Sequence, residues 1–336
     1  MSDTPETLPI ATSRRAAFER DGFLHVKGFA SQEECAKLRG RMAELIDAWD
    51  PAKTMSPVFT TDADQEKSQG SSDYFLDSAD RIHFFLEKDA AGPDGKLHPH
   101  VEKARALNKV GHGLHLEDSA FKEYSHSPKV TELVAELGWR DAVLPQSMYI
   151  FKQPEIGGEV TSHQDSTFLY TTPRQTCLGL WLALHHATTE NGCIWARPGS
   201  HLEPVRRHFV RNPTHFGGDR SAPQMIFDEV STDVGTCQWE GKMPEGSEPP
   251  SDGLREKGFC PVECEVGDLV VIHGQVDHLS LPNTSSKQRE TFQLHLVEGP
   301  NEGITWSEKN WLQYPKGKDF PSLHRGGAAK RKADEL

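Results

Sequence analysis

Long apolar runs are missing from this chain of 336 residues, and the longest, Leu178 to Leu184, falls far short of a bilayer span. About 20 consecutive apolar residues are needed to cross the hydrocarbon, so no transmembrane segment is expected. Met1 to Phe18 holds no apolar stretch of signal-peptide length, and the chain does not end in Ser-Lys-Leu. Ala333-Asp334-Glu335-Leu336 matches an endoplasmic-reticulum retention signal only in part, and Lys330-Arg331-Lys332 reads as a solvated tail. Cysteine is sparse: Cys35, Cys177, Cys193, Cys237, Cys260 and Cys264 form no dense framework of the kind that staples secreted scaffolds. Cys260 and Cys264 have no second Cys or His pair nearby, so they read as ordinary thiols rather than a zinc knuckle. Basic residues are outnumbered, 37 Lys and Arg against 50 Asp and Glu, for a net charge of -13. Affinity for a nucleic-acid backbone comes mainly from Lys and Arg, so that class of partner is not expected. These absences point to a cytoplasmic protein with no nucleic-acid partner. Composition says nothing of its oligomeric state.

Length alone allows one domain or two. The N-terminal part, about 12–140, reads as mainly helical. Ser31 and Glu34 make a capping box, after which Cys35, Leu38, Met42, Leu45 and Ile46 share one helical face. A further helix is predicted from Pro128 to Leu137 and stops at Gly138. From Ala142 the pattern changes to short runs divided by Gly, Pro and Asn. These are Val143 to Phe151, Cys177 to Leu184, Cys193 to Ala196, Val262 to Glu265, Leu269 to His273 and Thr291 to Val297. Many short strands with turn signals predict a mainly β fold with flanking helices, a sandwich or jelly roll. We expect a single domain over 1–336, with a core of about 141–300, an insertion at about 211–257 acting as a lid or substrate loop, and a C-terminal tail over 315–336.

The chemistry concentrates in Thr161-Ser162-His163-Gln164-Asp165. On an extended segment, side chains at i and i+2 point the same way, so His163 and Asp165 can reach one ion. With 17 His and 50 acidic residues the pair alone is a weak signal. Residues further along the chain strengthen it. A turn and buried strand, Gly267 to Gly274, lead to Asp277-His278-Leu279-Ser280, and Arg289 lies eleven residues beyond His278. His278 is the candidate third ligand, with His273 as its competitor. Two imidazoles and a carboxylate on one face leave three positions open, the arrangement of non-heme Fe(II) oxygenases. An enzyme using 2-oxoglutarate needs a cation for the far carboxylate, and the guanidinium of Arg289 provides two parallel donors that never lose their charge. Ser280 can add one more donor.

Several runs in one order resemble the phytanoyl-CoA dioxygenase family. They are Gln146 to Pro154, His163 to Tyr170, Glu190 to Trp195, Arg197 to His201 and His273 to Ser280, with Asp73 to Leu76 and Asn108 to His112. The likeness runs from about Phe18 to Trp311 and is weakest from Arg211 to Cys260. It implies a double-stranded β-helix (jelly-roll, cupin-like) core, with Fe(II) held by His163, Asp165 and His278. It also implies contacts to 2-oxoglutarate from Lys109, Met148, Gln164, Trp181, Ser280 and Arg289, and O2 as the oxidant. Met148 and Trp181 would wall out water, while Lys109 would add positive charge. The implied activity is hydroxylation of an unactivated C–H bond of a small, lipid-like or acyl molecule, with release of succinate and CO2. Related iron halogenases replace the carboxylate by a small residue, so Asp165 favours hydroxylation. The alternatives are desaturation or rearrangement at the same centre, or a non-catalytic metal-binding jelly roll.

Other polar residues carry plainer expectations. His185 and His186 are adjacent, so on a strand they face opposite ways and cannot share an ion. His112 and His115 read as structural, and Asn283 as a brace or a turn residue. Arg197, Arg206, Arg207 and Arg211 read as a solvated strand edge, with an anionic substrate as the alternative.

Overall fold

The structure is a computed structural model and describes residues 13–323 apart from 52, 54–55, 60–71, 93–95, 99 and 230–252. Its strands, in chain order, are β1 (Phe23–Val26), β2 (Ile82–Leu86), β3 (Leu107–His112), β4 (Ala142–Lys152), β5 (Val160–His163), β6 (Thr171–Thr172), β7 (Leu178–Ala183) and β8 (Ile194–Ala196). They continue as β9 (Arg207–Arg211), β10 (Met225–Glu229), β11 (Cys260–Val262), β12 (Leu269–His273), β13 (His278–Ser280), β14 (Arg289–Glu298) and β15 (Thr305–Trp306). A seven-stranded antiparallel sheet runs β1-β12-β7-β14-β4-β3-β2, and a four-stranded sheet runs β11-β8-β13-β5. Two small pairs, β9 with β10 and β6 with β15, complete the strands.

A side-chain period of two divides each long strand between two environments. Leu178, Leu180 and Leu182 of β7 and Phe292, Leu294 and Leu296 of β14 turn outward. They pack against Cys35, Leu38, Met42, Ile46, Val130 and Leu133 of two helices, Gln32–Ala48 and Pro128–Glu136. Burying each such side chain stabilises the fold by about 1.5–3 kcal/mol. The alternate residues turn inward, where Trp181, Ala183, Val270 and Ile272 meet Ile194, Trp195, Val262 and Leu279 of the smaller sheet. The fold is therefore a jelly roll with helices on one side.

Both expected helices form. Ser31 and Glu34 close a reciprocal capping box, and the second helix starts on Pro128 and is followed by Gly138 at φ 106°. The N-terminal part is less helical than expected, because it adds β1, β2 and β3 to the large sheet. β3 (Leu-Asn-Lys-Val-Gly-His) carries polar residues on a buried strand, and only tertiary pairing with β2 and β4 makes it one. The expected tail also differs. Leu323 is buried, its amide donates to Ala142, and Ser322 bridges Val143, so the fold continues through residue 323. The insertion opens as the β9–β10 hairpin; the rest of that expected lid (230–252), Cys237, the first twelve residues and residues 324–336 lie outside the described residues. Among the described residues no helix is long and apolar enough to cross a membrane.

Candidate metal centre

β5 and β13 are neighbours in the smaller sheet, and their register places His163 directly opposite His278. The two rings lie 4.3 Å apart between centroids. β5 ends at His163, Gln164 stays extended, and Asp165 opens a single 3-10 turn. This carries the carboxylate back toward both rings, with Asp165 Oδ1 3.5 Å from His163 Nε2 and 3.7 Å from His278 Nε2. One ligand atom from each of the three residues lies within 4.8 Å of the others. Each imidazole is oriented by its second nitrogen: Nδ1 of His163 donates to the Thr161 carbonyl at 2.8 Å, and Nδ1 of His278 to the Val276 carbonyl at 3.0 Å. In the neutral rings both Nε2 lone pairs are thus free for a metal.

Burial would raise the Asp165 carboxyl, but the facing His278, His295 and His163 rings hold its pKa well below the usual range. His278 is driven down by burial and by His163. For His163 burial acts downward, but the facing Asp165 carboxylate prevails and raises its pKa. The result is an ionised carboxylate beside imidazoles, a donor set matched to a divalent cation. His273 sits apart, its ring against Phe18 and His201 and its Nδ1 accepting from the Gln275 amide.

One large cavity opens beside this centre, and its floor is the inward face of β4 and β14. Cross-strand pairs along the floor are Gln146 with His295, Met148 with Gln293, Ile150 with Thr291 and Lys152 with Arg289. Arg289 is buried yet reaches back along its strand, its guanidinium carbon 5.5 Å from the ring of Trp181, whose own partner is Gln293. It donates to the Gly192 carbonyl at 3.0 Å and contacts Ser280 Oγ and Thr291 Oγ1 at 3.4 Å, while its Nε has no partner. Lys152, to which the sequence pattern gives no role, donates to Ser280 Oγ at 2.8 Å and to the Leu281 carbonyl at 2.7 Å. Every hydrogen-bond acceptor of these two cations is a hydroxyl or carbonyl. Burial lowers both, Arg289 to about 10, and Arg289 adds to the shift at Lys152. The carboxylates of Glu87 and Glu159 act on Lys152 from beyond hydrogen-bond reach, so neither buried cation is directly paired and together they can receive an anion.

Lys109, Met148, Trp181 and Ser280 also line the cavity. The Lys109 ammonium stands 3.3 Å over the Phe59 ring, and burial lowers its pKa strongly. Gln164 does not line the cavity: its amide donates to the Pro204 and Gln275 carbonyls and accepts from the Arg206 amide. It lies between two residues that point into the cavity, so its own side chain points away. His112 lines the cavity and bonds Ser78 Oγ, whereas His115 is held by Ser147 and the Leu144 carbonyl outside it. His186 pairs with Glu265 at the surface. Asn283 braces the loop after β13, donating to the Lys152 and Lys287 carbonyls.

The arginine cluster is not a solvated edge. Buried Asp277, next to His278, binds Arg206 at 2.8 Å and Arg197 at 3.2 Å, and Arg197 also grips Glu203. Arg211 donates to the Trp311 carbonyl. Only Arg207 reaches the cavity lining. Arg206→Ala should therefore destabilise the fold by about 3 kcal/mol, by stranding a buried carboxylate. Denaturant unfolding checks this, and a loss under about 1 kcal/mol would show that Arg197 neutralises Asp277 alone.

Gly179 faces the centre on β7, and a Cβ there would lie 3.2 Å from Asp165 Oδ2. Overpacking at such a contact costs about 1–3 kcal/mol. We expect Gly179→Val to weaken metal binding by about tenfold or more, read by metal titration of the purified variant. A second His/Cys/Asp group, His25, Cys264 and Asp268, is already satisfied. Asp268 accepts from the Gly28 and Glu265 amides and pairs with His25, which staples β1 to the turn before β12.

Comparison with solved structures shows the same fold. The epimerase SnoN, in complex with Fe3+, alpha ketoglutarate and nogalamycin RO, aligns with a TM-score of 0.55 at 16% identity, over 91% of this chain and 90% of its own. Fold, site and family match together define the class: a 2-oxoglutarate-dependent dioxygenase with a His-Asp-His site that could bind iron. The phytanoyl-CoA dioxygenase (PhyH) family pattern matches residues 18–291, and the chain belongs to that family. Phytanoyl-CoA dioxygenase domain-containing protein 1 of Danio rerio is 41% identical over 91% of this chain and 96% of its own length. Phytanoyl-CoA dioxygenase 1 of Oryza sativa subsp. japonica is 42% identical over 88% of this chain and 91% of its own.

Proposed function

We propose that the protein hydroxylates an apolar small molecule, lipid-like or acyl, with His163, Asp165 and His278 holding Fe(II). The carrying observation is that this triad and the Arg289–Lys152 cation pair open into one cavity. The chemistry such a centre supplies when bound is O2 activation coupled to decarboxylation of 2-oxoglutarate to succinate and CO2, with one oxygen atom delivered to a substrate C–H bond. The chain's own residues do the rest. Arg289 and Lys152, held around Ser280 Oγ, neutralise the far carboxylate of 2-oxoglutarate and fix its reach toward the triad. Lys109 adds positive charge on the β3 side, while Met148 and Trp181 exclude water. Five aromatic side chains, Phe59, Phe75, Phe168, Phe209 and Trp311, share the remaining wall with a few polar groups such as Asn108 and Arg207, and this aromatic share supports an apolar substrate. The names of the family relatives support an acyl substrate, and the intact Asp165 supports hydroxylation.

The test is succinate release by Fe(II)-loaded protein across a panel of acyl-CoAs, free fatty acids and small metabolites. At least one apolar member should stimulate turnover above the substrate-free rate. No succinate above a metal-free blank, together with no thermal shift on adding 2-oxoglutarate to the metal-loaded protein, would leave the non-catalytic jelly-roll reading in its place.

A further inference from the structure

A third histidine touches the candidate metal centre. His295 Nε2 lies 3.3 Å from Asp165 Oδ2, the carboxylate oxygen turned away from His163 and His278. Its ring is anchored from behind, where the Gln146 amide nitrogen donates to His295 Nδ1 at 3.1 Å across the β4–β14 register. With the Gln146 amide donating, Nδ1 accepts, and Nε2 carries a proton on the side of Oδ2. Gln146 and His295 are both buried, each 5% exposed. Gly179 also borders Oδ2, where an added Cβ would lie at a tight 3.2 Å.

A carboxylate beside a divalent cation can bind through one oxygen or chelate through both. Chelation by Asp165 would consume one of the three positions that the triad leaves open, and the keto-acid end of 2-oxoglutarate already needs two. We propose that His295, anchored by Gln146, is a positioning residue that occupies Asp165 Oδ2 and so keeps the carboxylate on the metal through Oδ1 alone. His295 is not itself in the ligand set, because it addresses the far oxygen, and the donor atoms that lie within 4.8 Å of one another here are those of His163, Asp165 and His278. The inference rests on the iron and 2-oxoglutarate function proposed for this site and specifies what holds a coordination position open.

The experiment compares full-length wild type with His295→Ala, His295→Gln and Gln146→Leu. Metal content, 2-oxoglutarate affinity from the visible band of the Fe(II) chelate, and binding of nitric oxide as a probe of the open position are measured without oxygen. His295→Ala and Gln146→Leu should keep one metal per chain yet weaken 2-oxoglutarate or nitric oxide binding by about 10- to 100-fold. His295→Gln, whose amide can still donate to Oδ2, should recover most of that loss. Wild-type affinities in His295→Ala overturn the inference, and so does loss of its metal while His278→Ala keeps one, since His295 would then be a ligand. Should His295→Ala fail to fold in its metal-free form, Gln146→Leu decides alone, and wild-type affinity there overturns the inference. Wild-type protein that takes up neither Fe(II) nor 2-oxoglutarate would instead sink the functional reading.

Discussion

Asp165→Ala should reduce iron-dependent consumption of 2-oxoglutarate to the level of a metal-free blank. Asp165 is the only carboxylate among the three candidate ligands, and His163, His278 and His295 all face it. Removing it asks a buried site of neutral imidazoles to hold a divalent cation with no countercharge. Breaking one side of a buried charge pair costs about 3–5 kcal/mol, or about 10²- to 10⁴-fold in affinity. Asp165→Asn should fail almost as badly, since it keeps the shape but not the charge. Metal content after anaerobic loading, with succinate release on the same samples, separates loss of iron from loss of turnover. If Asp165→Ala retains more than a tenth of wild-type turnover, Asp165 is not the ligand.

Arg289→Met should leave the iron in place but raise the dissociation constant for 2-oxoglutarate by at least about 30-fold. Truncating one partner of a buried, hydrogen-bonded charge pair costs about 2–5 kcal/mol. Ser280 and Lys152 remain to offset part of this, because both contact the same pole of the cavity. Arg289→Lys should recover only a fraction, since an ammonium cannot offer two parallel donors. Unchanged metal stoichiometry distinguishes this variant from Asp165→Ala. Wild-type affinity for 2-oxoglutarate in Arg289→Met would move the anion receptor elsewhere, with Lys109 as the next cation on the lining.

Some of the site is legible in sequence because strand periodicity is local. His163 and Asp165 stand two apart, and Ser280 and Arg289 come after His278 in an order that only one kind of chemistry needs. Lys152 and His295 obey the same logic, although no motif singles them out. Lys152 has the parity of Met148 on one strand, and His295 that of Arg289 on another, so each had to face the same way as a residue of the site. Gln164 shows the converse: it shares the motif, but its parity turns its buried side chain away from the cavity.

Local pattern therefore determined which residues lie on a shared face, where the two principal helices start and stop, and that the later part of the chain is a set of short strands. It also showed an H-x-D pair with a His and an Arg downstream. Only the tertiary structure decided that β3 joins the large sheet, that Arg197 and Arg206 are spent on Asp277, and that His278 rather than His273 stands opposite His163. The reason is physical. Side-chain direction along a strand is set by backbone geometry within a few residues, whereas which strands become neighbours, and in what register, depends on burial summed over the whole chain.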